Sequence, residues 1–103
     1  MAYKLIVTKE AHSDIDEIAS YIAKEFKNAT STASFLNDVE KSYRLIIDNP
    51  CIYALCTDER LHERGYRKVV IKHYLVLYRV DEADKTVYVV RVVYGARDYA
   101  KLL

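Results

Sequence analysis

Three β-rich runs near the C-terminal end of this chain follow one another so closely that they admit only one way of pairing. Val, Ile, Leu and Tyr dominate residues 66–72, 74–81 and 86–94, with a link near Lys72-His73 between the first two and Asp81-Glu82-Ala83-Asp84-Lys85 between the last two. A parallel crossover needs about a dozen residues or more, so each run must fold back on the one before it as an antiparallel hairpin. In the last run Val87, Val89, Arg91 and Val93 alternate with Tyr88, Val90, Val92 and Tyr94, and both sets are largely apolar. Apolar residues on both faces make this strand central, with Arg91 interrupting a buried row.

The first half has a different period. A short apolar strand at Tyr3 to Val7 is followed by Thr8, an N-cap hydroxyl, and then by Ala11, Ile15, Ile18, Ala19, Ile22 and Phe26 at helical spacing. Glu10, Asp14, Glu17, Lys24 and Lys27 fall on the other side and read as a solvated face, with Asp14 and Asp16 as solubilising charges. Asn28-Ala29-Thr30-Ser31 supplies turn and cap chemistry before a second apolar stripe of Phe35, Leu36, Val39, Tyr43, Ile46 and Ile47, which ends before Pro50. Residues 51–64 show no clean period beyond one helical turn around Asp58 to His62, and 97–103 suit a short terminal helix whose Leu102 and Leu103 return to the core. The expected fold is α+β, in the order βααβββ. A helical hairpin packs on one face of an antiparallel-rich sheet, the first strand joins as an edge, and a short C-terminal helix closes the chain.

At 103 residues, about half of them apolar, one domain spanning residues 1–103 is expected. No apolar run approaches the roughly 20 residues that span a bilayer, and Met1 to Thr8 is too short for a signal-peptide core, so a soluble, cytoplasmic chain without a membrane partner is expected. Cys51 and Cys56 stand alone in a C-x4-C spacing and His12, His62 and His73 are scattered, so no metal or other cofactor is expected and the thiols read as reduced loop residues. The formal charge of +1 hides an asymmetry: six basic and eight acidic residues in 1–50, ten and seven in 51–103. The basic excess therefore falls on the β-rich part and is compatible with an anionic partner.

A guanidinium is not buried alone, because its desolvation costs several kcal/mol. Arg91 must either pair with Asp98 or Asp81, or open onto a polar concavity where Arg67, Arg91 and Arg97 ring a phosphate or carboxylate, with Tyr94 and Tyr99 as hydrogen-bonding or stacking groups. Of the ten tyrosines, Tyr21, Tyr43, Tyr74 and Tyr88 read as packing residues. Tyr94 is the better site candidate, since Gly95 beside it permits close approach.

The segments Leu61-His62-Glu63-Arg64-Gly65-Tyr66-Arg67-Lys68, Tyr74-Leu75-Val76-Leu77-Tyr78-Arg79-Val80-Asp81 and Val87-Tyr88-Val89-Val90-Arg91-Val92-Val93-Tyr94-Gly95-Ala96-Arg97-Asp98 follow two amphipathic helices in that order. In this the chain resembles the RelE/ParE superfamily of type II toxin-antitoxin toxins over almost its whole length. The resemblance implies a toxin held inactive by a cognate antitoxin encoded beside it. RelE-like members act on the translating ribosome and cut its mRNA, whereas ParE-like members poison DNA gyrase. An open sheet with an edge strand and a basic face also suits an acidic antitoxin segment that folds on binding.

For a RelE-like enzyme the resemblance implies general acid-base attack of a 2′-OH on the neighbouring phosphate, with Arg67, Arg91 and Tyr94 as catalytic candidates. Arg67, Lys68, Arg91, Tyr94, Arg97 and Tyr99 are the wider set for binding a target or nucleic acid. Yet Leu75 stands where such enzymes tend to carry a catalytic arginine, and Val69 where many are basic. Gly65-Tyr66-Arg67-Lys68, the apolar Leu75 to Val80 strand and Arg91-Val92-Val93-Tyr94 are closer to ParE-like toxins, although many of those have His at the place of Tyr94. The favoured expectation is a gyrase-binding toxin with no chemistry of its own. An mRNA endonuclease is the rival, and an inactive toxin fold kept as a binding protein is a third possibility.

Overall fold

The fold, given by a computed structural model that describes residues 3–27, 29–95 and 99–103, runs β1 (Lys4–Val7), α1 (Lys9–Phe26), α2 (Ala29–Asp48), α3 (Glu59–Glu63), β2 (Tyr66–Ile71), β3 (Tyr74–Asp81) and β4 (Thr86–Tyr94), ending in a 3₁₀ turn at Tyr99–Leu102. The four strands form one sheet in the order β1-β4-β3-β2. Both hairpins are antiparallel as their short links require, and β1 adds to β4 in parallel, Val7 beside Val89. The α1–α2 hairpin is what carries the chain from one edge of the sheet to the other.

Thr8 starts α1 as its spacing predicts, its Oγ1 accepting from the Ala11 N–H at 3.2 Å. Lys27 ends the helix in the left-handed conformation, φ 49°, and α2 begins at Ala29. Ala29 to Ser31, assigned to a turn on sequence, are therefore the first turn of α2. Ala11, Ile22, Phe35, Val39 and Ile46 close over Val69, Ile71, Val76, Tyr78, Val87, Val89 and Val92 of the sheet. Each fully buried aliphatic or aromatic side chain here contributes on the order of 1.5–3 kcal/mol. Phe26 and Leu36, counted in the apolar stripes, lie instead at the helix surface, 60% and 41% exposed.

The opposite face of the sheet is also covered, which helical packing on one face alone does not anticipate. Asp58 caps α3, accepting from the Leu61 N–H at 3.1 Å, and Leu61 and Cys56 pack on Leu75, Leu77 and Val93. Tyr99, Leu102 and Leu103 fold onto the same cluster, as expected for the terminal leucines. Both cysteines are free and lie in the loop before α3, Cys51 exposed and Cys56 wholly buried in the second core cluster. Two covers on one sheet explain why both faces of β4 are apolar.

Strict alternation fails along β4. Leu77 pairs with Arg91 and Tyr78 with Val89, so Val90 is an extra residue in a β-bulge. The bulge shifts the phase by one: Val87, Val89 and Val92 share the helix-covered cluster, and Val93 faces the other. Arg91 thus leaves the row that Val87 and Val89 occupy.

Candidate functional site

Past the last β1–β4 pair, Asp14 of α1 approaches β4. Its carboxylate accepts from Arg91 Nε at 2.7 Å, Arg91 Nη2 at 3.0 Å and the Val92 N–H at 2.9 Å. The fork is bidentate and largely withdrawn from water, with 22% of the Arg91 side chain and 12% of Asp14's exposed. The Asp14 hydrogen bonds raise the Arg91 pKa above its ordinary value against an opposing effect of burial, and Glu10 and Glu17 add to the rise. Arg91 is therefore ion-paired to Asp14, and of its two expected partners Asp81 is bonded elsewhere. Asp98 lies outside the described residues, and Asp81 accepts from the Asp84 N–H in the β3–β4 turn. Asp14, read on sequence as a solubilising charge, is the anchor of this tie. The miss has a physical cause: its place on the helix is set by the bulge in a strand some 80 residues away.

The other sheet arginines are also held internally. Arg67 on β2 donates through Nη1 to the Tyr53 carbonyl at 2.7 Å, and its strand neighbour Tyr78 donates to the Pro50 carbonyl at 2.8 Å, so the pair fastens the 50–55 segment. Leu55 bridges Arg67, and the Lys68 N–H reaches the Ala54 carbonyl, which seals the outer edge of β2 at this end. Arg79 lies over the Tyr88 ring at 4.7 Å. Lys68 is half-buried beside Cys56, whose thiol is pushed up by burial while the Lys68 charge draws it down. Tyr99 packs in the second core cluster, and Arg97 lies outside the described residues.

Arg67, Arg91 and Tyr94 are consequently not brought together. Arg67 and Arg91 sit on strands separated by β3, about 10 Å apart at the usual strand spacing. Arg67 pairs laterally with Tyr78 of the helix-covered cluster, whereas Tyr94 stands at the far end of β4. Leu75 and Val69 are both buried, so a charge at either place would have to be desolvated in a core cluster. The basic concave face built from Arg67 and Arg91 is not present among the described residues.

What the fold does assemble is an aromatic mouth at the α1 end of the sheet. Tyr94 is 54% exposed and Tyr21, read as a packing residue, 56%. Tyr74 meets Phe35 edge-on at 5.4 Å and Tyr94 at 6.0 Å, forming a row that leads from the core to the surface. Burial and the neighbouring Tyr21 and Tyr94 hydroxyls raise the Tyr74 pKa. An open concavity of about 450 Å³ runs along this row, with Phe26 on one wall and Lys72 and His73 on its lip. Gly95 lets the chain turn here: its N–H donates to the His73 carbonyl at 2.8 Å, and a Cβ would stand 3.2 Å from that oxygen. Tyr94 was visible on sequence through Gly95; Tyr21 and Phe26 were not, because they occupy helix positions that only the tertiary packing leaves uncovered. Exposed aromatic patches of this kind mark interaction surfaces. Among the described residues no group of His, Cys, Asp or Glu could hold a metal ion, and no helix is long and apolar enough to cross a membrane.

This fold, a helical hairpin over a β1-β4-β3-β2 sheet, is shared with toxins of the RelE/ParE class. Residues 5–99 match the family model described as the ParE toxin of type II toxin-antitoxin system, parDE. The chain belongs to that family. Among solved structures, the chromosomal ParDE system of P. aeruginosa superposes with a TM-score of 0.71 at 16% identity, covering 90% of this chain and 96% of that one. A mutant of E. coli RelE in the free state gives 0.69 at 16% identity, with 99% and 93% covered. The RelBE2 toxin-antitoxin complex from Mycobacterium tuberculosis gives 0.64 at 22% identity, with 91% and 99% covered. At these identities the likeness is one of fold. A comparison with curated protein sequences finds no match.

Proposed function

We propose that this toxin arrests growth by binding DNA gyrase, without chemistry of its own, and is neutralised by a cognate antitoxin. The observation that carries this reading is the internal use of the sheet arginines. Arg67, Arg79 and Arg91 are each committed to a partner within the chain, so they hold the fold rather than wait for a phosphate. An RNA-cleaving site needs preorganised donors aimed at the developing charge, and each one missing costs roughly 2.7–4 kcal/mol of barrier. An exposed surface open to a partner is the aromatic mouth around Tyr21, Tyr74 and Tyr94, which suits recognition of a protein.

The family match supports the toxin class, and the ParE branch supports gyrase over the ribosome as target. The cellular test is induction of the chain alone, with plasmid topology and transcript ends followed together. Loss of negative supercoiling with intact transcripts is expected. Codon-phased cuts in translated messages with normal supercoiling would reverse the assignment, and unaffected growth at high levels of folded protein would favour an inactive binding protein.

A further inference from the structure

We propose that the cleft between α1 and the end of the β3–β4 pair is a cage for an arginine side chain of the cognate antitoxin, a partner that rests on the function proposed above. The cleft holds about 410 Å³ and is lined by Glu17, Ile18, Tyr21, Tyr74 and Tyr94. Three of these five residues present aromatic rings and one a carboxylate; none is a cation. Aromatic faces attract cations through their quadrupole, and a guanidinium adds a flat surface for stacking and a fork of donors for a carboxylate.

The electrostatics of α1 select the same ligand. Asp14 is neutralised by Arg91, whereas Glu17, one turn further on, has no hydrogen bond or ion pair among the described residues. A phosphate or an acidic side chain entering the cleft would meet the Glu17 carboxylate, which feels the Arg91 charge through space but is bonded to no cation among the described residues. A wholly apolar side chain would strip water from Glu17 and the phenol hydroxyls and return nothing. Lys72, on the adjoining lip, does not line this cleft, and its ammonium is held by Ser34 Oγ at 2.9 Å. The wall is set before any ligand arrives, because Tyr74 is wedged edge-on between Phe35 and Tyr94.

The test uses the intact chain and blocked amino acids, with NMR shifts of the Tyr21 and Tyr94 rings as readout. Nα-acetyl-arginine methylamide should bind saturably, the lysine analogue more weakly and the neutral citrulline analogue not at all. Glu17→Gln should weaken arginine binding about 2–5-fold, and Tyr21→Leu and Tyr94→Leu about 2–5-fold each. Equal binding of citrulline, or no saturable arginine binding, overturns the proposal. In a second measurement, the product of the adjoining gene is bound to the wild-type chain and to the triple variant, each verified as folded by circular dichroism. Dissociation at least about tenfold faster from the variant is expected. A complex indifferent to the three changes sinks the cage alone. Arginine binding without any complex-forming product sinks the toxin-antitoxin reading.

Discussion

Arg91 is the residue with the most to explain, and its guanidinium is held by a carboxylate within the chain. It is paired to Asp14 at hydrogen-bonding distance through both arms of its fork, and the same carboxylate caps the Val92 N–H. Asp14→Asn removes the charge but not the shape, so it isolates the electrostatic part. We expect a loss of about 2–3 kcal/mol in urea unfolding, below the roughly 3–5 kcal/mol of a fully buried pair because part of Arg91 still meets water. A change below about 0.5 kcal/mol would place the pair with ordinary surface bridges. Arg91→Ala should likewise act through stability, so any loss of toxicity should track the fraction unfolded. Because Arg91's pKa is raised above an already high ordinary value, its contribution is complete throughout the neutral range and is lost only at extreme alkalinity. Tyr43 and Tyr78 titrate lower. Burial pushes both to about 12 from an ordinary 10.0, so the folded state resists their ionisation. A pKa raised on folding gives stability that is complete below the unfolded value and lost as pH climbs through the folded one. Stability measured by urea unfolding followed by circular dichroism should therefore fall between pH 10 and about 12.

At the scale of elements, local signals named most of the architecture. The Thr8 cap, the helical stripes, the stop before Pro50 and the two hairpin links each depend on neighbours within a few residues, and each appears where its spacing predicts. The features that sequence did not disclose depend on distant partners. The bulge at Val90 lies just past the last β1–β4 pair, and with it come the rephasing of Arg91 and its pairing with Asp14. The second cover over the sheet comes from α3 and the terminal turn, segments too short to carry a clear amphipathic period. The site divides along the same line. Tyr94 stands exposed at the strand end marked by Gly95, whereas Arg91 leaves its expected row because a bulge shifts the side-chain phase of β4. Lys27 offers a test at this level, since it ends α1 with φ 49°, a conformation that penalises a Cβ. Lys27→Gly should raise stability by about 0.5–1 kcal/mol in thermal or urea unfolding. A destabilised variant would mean that this junction is not limited by backbone strain.

For the whole molecule, both faces of the sheet carry a cover, and Ile6 and Val70 stand exposed on its two edge strands. Protein surface remains at the ends of the strands and along α1, where Tyr21, Phe26 and Tyr94 stand exposed. A molecule built in this way is suited to docking, with Arg67 and Arg91 holding a loop and a helix to the sheet. Tyr21→Ala combined with Tyr94→Ala should leave the unfolding midpoint nearly unchanged, since both are surface residues. Growth arrest should fall about tenfold or more in that variant if the aromatic mouth carries a hot spot. The most direct test of the account is supercoiling of relaxed plasmid by purified gyrase in the presence of the purified chain. It predicts dose-dependent loss of supercoiling while messages in a translating extract stay whole. Undisturbed supercoiling at saturating protein, together with codon-phased cleavage in the extract, would contradict it.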